Sequence, residues 1–209
     1  MFGGRIQKGD GRWRNWERNE DMDGPDRMPM ISVERMTEAQ KQAHDEIASG
    51  PRGAVYGPFV ALLRSPDLMR RVQATGEYLR YRSALPRRLS EFVILIVARQ
   101  WTQQVEWSIH LPIALEQGVR PEIAEEIAQG RRPSGMSDDE ENVYEFCREL
   151  RENRWISDRT YERAKASFGE QGIIDLIGLI GYYSWMAMLM NAARTAPPEG
   201  RATLEPLPG

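Results

Sequence analysis

Helix start and stop signals recur along the central part of the chain and limit most strongly how it can fold. Two capping boxes begin at Thr37 and Ser137, each with a Gln or Glu three residues later. Such pairs satisfy amide groups that are left free in the first turn of a helix. Proline residues occur where helices commonly begin and glycine residues where they commonly end. No Asn-Gly hairpin signal occurs, so the sequence predicts an all-α fold.

The spacing of these signals predicts nine helices separated by short connections. They are expected at residues 37–48, 58–64, 66–81, 87–102, 104–118, 121–130, 137–153, 158–168 and 171–194. The apolar run from Phe92 to Ala98 has the residue types of a buried strand. Because it lies inside a longer segment without turn residues, we interpret it as a helix that is buried on all sides. The predicted fold is therefore a compact helical bundle without an internal repeat.

Both ends of the chain differ in composition from this helical part. Residues 1–30 are rich in Gly, Asn, Arg and Asp without periodicity and are predicted to form an N-terminal arm. Trp13 and Trp16 are unusual in such a segment, so the arm either packs them on a neighbouring surface or is a solvated tail. Residues 196–209 are rich in Pro and Gly and are predicted to be extended. The helical domain is expected at residues 31–195.

Charge and cysteine content exclude several classes of protein. The 209 residues include 28 Lys and Arg against 31 Asp and Glu, and both signs are interspersed, so we expect no nucleic-acid partner. The sequence suggests neither a hydrophobic signal segment nor a stretch of about 20 apolar residues, and so no membrane partner. The single cysteine, Cys147, excludes an intrachain disulfide and a Cys-x-x-Cys redox pair. We expect a cytoplasmic protein.

A carboxylate and an imidazole lie four residues apart in the segment VEWSIHLPIALEQG, residues 105–118. Side chains with this spacing stack on one face of a helix, so Glu106 and His110 are predicted to be neighbours. Glu91 would join them if its helix packs antiparallel to theirs. Pro112 lacks an N–H group and is expected to kink the helix and open space beside the imidazole. The alternative is a structural pair in a helix that ends early and restarts.

Three longer segments carry a resemblance to a known family. They are LPRRLSEFVILIVAR, VEWSIHLPIALEQGV and FGEQGIIDLIGLIGYYSWMAMLMNA, and the similarity extends from about Gly57 to Asn191. The chain resembles the carboxymuconolactone decarboxylase family, which also contains the alkylhydroperoxidase D group. The resemblance implies the alkylhydroperoxidase D-like helical fold. It also implies a homo-oligomer, either a trimer or a hexamer built from trimers.

The hydroperoxidase branch of this family uses a cysteine pair that the chain lacks. In that branch a glutamate precedes a Cys-x-x-Cys pair, and a histidine follows the second cysteine by four residues. By resemblance, the glutamate corresponds to Glu91 and the histidine to His110. The two cysteine positions hold Gln103 and Glu106. Peroxide reduction by a dithiol needs an attacking and a resolving thiol. Cys147 lies in a separate predicted helix and is interpreted as a packed core thiol, so thiol peroxidase activity is not expected.

The decarboxylase branch also lacks the cysteine pair and carries the Glu-x-x-x-His element that Glu106 and His110 match. The resemblance implies a lyase that removes carboxylate from a small unsaturated lactone acid. His110 would deliver a proton to carbon, Glu106 would orient the imidazole, and Glu91 would relay protons. Two alternatives remain: an oligomeric protein of the same fold that binds a small molecule, and a hydroperoxidase-type oxidoreductase without the usual cysteine pair.

Further residues are candidates for the walls of a substrate pocket, although aromatic side chains at helical spacing are more often part of a core. They are Trp107, Tyr56, Phe59, Tyr182, Tyr183 and Asn191. We expect no cofactor and no metal. Glu106 and His110 have the spacing of two metal ligands, but zinc sites commonly use about three or four protein ligands. No complete set is visible, so a metal site remains a minor alternative.

Overall fold

A computed structural model of the protein describes residues 24–50 and 52–207. Within these residues the chain forms a short 3-10 helix, Val33–Arg35, and eight α-helices, with no strand. The α-helices are α1 Glu38–Ala48, α2 Pro58–Leu62, α3 Pro66–Tyr81, α4 Arg87–Gln100, α5 Gln104–Glu116, α6 Pro121–Ala128, α7 Asp138–Asn153 and α8 Asp158–Ala193. The prediction of an all-α fold is confirmed.

Helix α4 is the central element of the bundle. Every residue from Leu89 to Arg99 is buried, and α4 packs against α3, α5, α6, α7 and α8. The apolar run that resembled a strand is therefore a helix buried on all sides, as predicted. A helix surrounded in this way needs no polar face in its middle, which explains the uninterrupted apolar run from Phe92 to Ala98.

Helix α8 joins the last two predicted helices into one element. Gly169, the predicted stop, has φ 68° and ψ −179°, a conformation that essentially only glycine adopts, and it kinks α8 without ending it. The helix is also long and apolar enough to span a membrane by length and composition. The expectation that no such stretch exists was wrong. Half of that apolar window is buried inside the fold, so its apolar character is explained in part by core packing.

Helices α4 and α5 form an antiparallel pair joined by the short connection from Trp101 to Gln103. The turn contains Thr102 with a φ of 46°. The Gln103 side chain accepts hydrogen bonds from the backbone N–H groups of Val105 (2.6 Å) and Glu106 (3.0 Å). It thereby caps the first turn of α5 and fixes the backbone that carries Glu106.

The prediction that Pro112 opens space beside His110 was wrong. Helix α5 continues through Pro112 to Glu116, and Pro112 is exposed while His110 is buried. Each residue of an α-helix is rotated by about 100° from the one before it. Pro112 follows His110 by two residues, a rotation of about 200°, so the two side chains lie on opposite sides of α5. The proline ring therefore meets solvent and not the surroundings of the imidazole.

The segments that flank the helical bundle are attached to it by backbone hydrogen bonds. Arg27 donates its N–H group to the Ala193 carbonyl at the end of α8 (2.7 Å). At the other end, Leu204 is buried and exchanges two hydrogen bonds with the Gln104 amide (2.7 and 2.9 Å). Residues 196–207 contain no helix or strand. Trp13 and Trp16 lie outside the described residues.

Candidate active site

His110 lies between two carboxylates. Its Nδ1 atom is 2.7 Å from Oε2 of Glu91, and its Nε2 atom is 3.3 Å from Oε2 of Glu106. All three residues are at most 4% exposed. The antiparallel packing of α4 and α5 brings the second turn of α4 against the middle of α5, so the predicted meeting of these three side chains is observed.

This arrangement favours the charged imidazolium form of His110. Burial acts to lower the pKa of His110, because a charged ring is poorly solvated there. Hydrogen bonds to Glu106 and Glu91, together with their negative charges, outweigh burial, so the pKa is raised above its ordinary value. In the charged form both ring nitrogens carry a proton. Nδ1 donates its proton to Glu91, and Nε2 forms an ion pair with Glu106.

The two carboxylates occupy different positions relative to a small pocket. Glu106 and His110 line the pocket, whereas Glu91 lies behind His110 and is not part of the wall. Glu91 therefore holds Nδ1 and fixes the orientation of the ring, the role that the sequence-based hypothesis gave to Glu106. The Nε2 side of the imidazole, with Glu106, faces the space that a ligand can enter.

The pocket is small. Its cavity volume is about 20 Å³, which is room for about one ordered water, and the empty space reaches about 350 Å³ only when the open solvent at its mouth is included. Its remaining lining residues come from the α1–α2 connection and from helices α2, α3, α5 and α8: Arg52, Tyr56, Pro58, Phe59, Arg80, Ile109, Tyr182, Tyr183 and Met186. The predicted wall residues Tyr56, Phe59, Tyr182 and Tyr183 are thus brought together beside His110.

Two tyrosines of α8 pack next to the imidazole. The Tyr183 ring meets His110 edge-to-face with centroids 5.2 Å apart, and Tyr182 packs in the same way on Tyr183 at 5.3 Å. Burial raises the pKa of Tyr182 to about 12 and that of Tyr183 well above its ordinary value, so both stay neutral near pH 7. A side chain at Gly76 would collide with the Tyr182 hydroxyl, which explains the glycine at this position of α3.

Two predicted wall residues do not line the pocket. Trp107 is 3% exposed and belongs to the hydrophobic core, because it follows Glu106 directly and projects about 100° around the helix from it. Asn191 accepts a hydrogen bond from the Gln103 amide (3.0 Å) and donates one to the Trp101 carbonyl (3.0 Å). It ties the end of α8 to the α4–α5 turn.

Sequence reasoning missed two arginines in the pocket wall, Arg52 and Arg80. Arg80 had a detectable signal: it lies four residues after Gly76, in register with the buried face of α3. A charged side chain on an apolar helix face is unusual and indicates a site. Arg52 lies in the connection before α2, where no periodicity marks a buried side.

Cys147 lies away from the pocket, in the core contributed by α7. It is 2% exposed, and burial raises the pKa of its thiol to about 12, so it remains protonated at neutral pH and is a poor nucleophile. The interpretation as a packed core thiol is confirmed. Among residues 24–50 and 52–207, no group of three or more His, Cys, Asp or Glu side chains is arranged to hold a metal ion.

Comparisons with known proteins place this site in a family context. The sequence model of the Carboxymuconolactone decarboxylase family matches residues 66–149, which include the whole of α4 and α5. No curated protein sequence is significantly similar to the chain.

Two solved structures share the fold. One is an alkylhydroperoxidase AhpD core, an uncharacterized peroxidase-related protein from Ralstonia eutropha JMP134, with a TM-score of 0.69 and 14% identity; the match covers 84% of this chain and 94% of that one. The other is an uncharacterized peroxidase-related protein from Silicibacter sp. TM1040, with a TM-score of 0.68 and 14% identity over 82% of this chain and 90% of that one. At this identity the likeness shows the fold alone.

Proposed function

Because residues 66–149 match the sequence model of the Carboxymuconolactone decarboxylase family, we propose that the protein is a cofactor-independent lyase. Its substrate is a small unsaturated lactone or carboxylic acid, from which it removes CO2 by acid/base catalysis. The observation that carries this proposal is the buried series Glu91–His110–Glu106, one side of which lines a small pocket that is open to solvent.

The proposed reaction breaks one carbon–carbon bond and forms one carbon–hydrogen bond. The bond to the carboxylate breaks, CO2 leaves, and the electron pair is delocalised through the double bond into the neighbouring carbonyl. The imidazolium of His110 then supplies a proton to carbon, and a proton from solvent restores the imidazolium. The hydrogen bonds and negative charges of Glu106 and Glu91 raise the pKa of His110 against the effect of burial and so favour the charged acid, which is the form that the step requires.

The geometry gives each member of the series a separate task. Glu91 accepts a hydrogen bond from Nδ1 and stabilises the imidazolium at the fixed orientation. Glu106 lies against Nε2 at 3.3 Å, longer than the Glu91 contact, and lines the pocket. A ligand atom that approaches Nε2 therefore competes with Glu106 for the proton, so Glu106 is placed to pass the proton on or to take it back.

A panel of unsaturated γ-lactone carboxylic acids tests the proposal. We expect release of CO2 from at least one member, with one solvent deuteron appearing on product carbon when the reaction is run in D2O. Saturated analogues, in which the electron pair cannot be delocalised through a double bond, serve as matched controls and should be inert. Binding of several acids without CO2 release from any would favour the alternative, a binding protein of the same fold.

Thiol chemistry is the competing function that the peroxidase-related neighbours suggest, and Cys147 provides its test. We expect Cys147→Ser and Cys147→Ala to retain the full turnover of the folded protein, because this protonated thiol lies in the core and not in the pocket. Serine should cost more stability than alanine, since it buries a hydroxyl. Turnover per folded molecule and thermal unfolding are measured on the same samples. Loss of turnover in both folded variants would contradict a thiol-independent reaction.

We propose that the protein is a homo-oligomer, a trimer or a hexamer, assembled through the outer face of α8. Ile174, Ile177, Trp185 and Met188 are 67%, 44%, 37% and 45% exposed along this helix. A side chain at Gly181, on the same face, would meet no described atom within 4 Å. An apolar stripe of this kind on a single copy commonly marks an interface.

Charge on this stripe is expected to separate the subunits. Sedimentation at micromolar concentration should give a trimer or hexamer for the wild type and a monomer for the double variant Ile174→Glu/Ile177→Glu. The matched control is Trp155→Glu, which places the same charge on an exposed aromatic residue outside α8 (61% exposed) and should leave the assembly intact. A monomeric wild type would contradict the proposal.

A further inference from the structure

We propose that Arg80 and Arg52 form an anion-binding pair that receives the carboxylate of the substrate in the pocket beside His110. The ligand class is a small monoanionic lactone or unsaturated acid. The inference deepens the proposed function and rests on it for the reaction that follows binding. The capture of a carboxylate by the two arginines is testable without turnover.

Arg80 is the stronger part of the pair. It lies half-buried on α3 and lines the pocket, and its Nε atom is buried without a hydrogen-bond partner among the described residues. A buried donor without a partner is costly, roughly 1–3 kcal/mol and more for a charged group. The Arg80 guanidinium carbon also lies 5.2 Å from the centre of the Tyr81 ring, but that contact does not satisfy the Nε donor. An external acceptor that enters the pocket is therefore the natural partner of Nε.

Arg52 is held in place by contacts that leave most of its guanidinium available. Its Nε donates to the Gln73 side chain, and its guanidinium carbon lies 4.3 Å from the centre of the Phe59 ring. Stacking and one hydrogen bond orient the planar group without neutralising its charge. No acidic side chain of residues 24–50 and 52–207 forms a salt bridge with either arginine.

The sum of charges around the pocket supports an anionic ligand. Glu91 and Glu106 contribute two negative charges, whereas His110 as imidazolium, Arg52 and Arg80 contribute three positive ones. The described side chains therefore leave one positive charge in excess. A monoanion neutralises it, while a neutral ligand or a cation would leave it or increase it.

Each arginine presents planar N–H donors that match the geometry of a carboxylate. The phenol groups of Tyr182 and Tyr183, both neutral, and the thioether of Met186 line the same space. They provide a less polar surface for the lactone or alkene part of the ligand. The pocket thus combines a cationic side for the acid with an aromatic side for the ring, which a nonspecific anion site would not need.

The test compares a saturated γ-butyrolactone carboxylate with its methyl ester, two probes that differ in charge and are not expected to react. Binding is measured by calorimetry and by the imidazole NMR signal of His110, which shares the spectrum with only one other histidine, His44. We expect the wild type to prefer the carboxylate. Arg80→Met should weaken carboxylate binding about 10- to 100-fold, the usual worth of a hydrogen bond to a charged group. Binding of the ester should not change.

Two further variants make the result specific. Arg80→Lys keeps the charge and loses the planar donor geometry, so its affinity should fall between those of the wild type and Arg80→Met. Arg159→Met removes an exposed arginine on the first turn of α8 that does not line the pocket and should have no effect. If Arg80→Met does not fold, Arg52→Met carries the same comparison, with an expected loss of about tenfold.

The outcomes separate this inference from the proposed reaction. Carboxylate binding that depends on Arg80 supports the inference even if no lactone acid is ever decarboxylated. Equal binding of carboxylate and ester by the wild type overturns it. A folded Arg80→Met variant with wild-type affinity for the carboxylate overturns it as well, even where CO2 release depends on His110.

Discussion

Replacing His110 with alanine is expected to slow turnover about 10²- to 10⁴-fold, the usual contribution of a general acid or base. The variant removes the only imidazole in the pocket wall. It also leaves Glu91 and Glu106 buried without their shared partner. Turnover and unfolding must therefore be measured on the same sample, so that the loss in rate refers to folded molecules.

Glu106→Gln provides the matched comparison for His110→Ala. The amide keeps the size of the side chain and an acceptor near Nε2, but it cannot carry a proton to the ligand, so turnover should also fall. If the three residues form only a structural cluster, both variants will unfold more easily while the folded fraction keeps full activity. Full activity per folded His110→Ala molecule would end the catalytic interpretation.

The helices were predictable because their signals are local. The capping box at Thr37 forms as expected, with the Gln40 N–H donating to the threonine hydroxyl at 3.3 Å and the Gln40 side chain accepting from the Thr37 N–H at 2.9 Å. The stop signal at Gly169 also marked a residue whose backbone leaves helical geometry. It could not show whether the helix ends or only bends, because the packing of the flanking segments decides that.

The contact between Glu106 and His110 followed from helical spacing alone, while the role of Glu91 did not. Spacing places Glu106 next to the imidazole but does not say which ring nitrogen it meets. The angle between α4 and α5 puts Glu91 on Nδ1 and leaves Nε2 toward the pocket. The orienting carboxylate therefore comes from a different helix than the one proposed from the motif.

The errors about the pocket wall share one physical cause. Trp107 and Pro112 are close in sequence to the reactive residues, but they project from other sides of α5 and lie in the core and in solvent. Arg52 and Arg80 are distant in sequence and lie beside His110. Residues that are close in sequence share a site only when their spacing places them on the same face of a helix. Contacts between residues on different helices depend on how the helices pack, which a single sequence does not show.

Replacing Glu91 with leucine is expected to lower the free energy of unfolding by about 3–5 kcal/mol, because it removes one partner of a buried, hydrogen-bonded charge pair. Glu91→Gln keeps an acceptor for Nδ1 and loses only the charge, so its cost should be smaller. Glu170→Gln breaks an exposed ion pair with Lys165 and should change stability little. Chemical denaturation of all three variants at pH 6 measures these differences.

The cost of Glu91→Leu should depend on pH in a direction fixed by His110. The folded-state pKa of His110 is raised above its ordinary value, so the stability gained from the charged ring is fully present below about pH 6.5, the unfolded pKa. That stability is lost as the pH rises through the folded pKa. The difference in free energy of unfolding between wild type and Glu91→Leu should therefore be widest near pH 6 and narrow toward pH 9.

The His110 imidazole signal should titrate at lower pH in Glu91→Gln than in the wild type. A gap of equal size at pH 6 and pH 9, with an unchanged titration, would mean that the carboxylate does not stabilise an imidazolium and that His110 is not held as the charged acid.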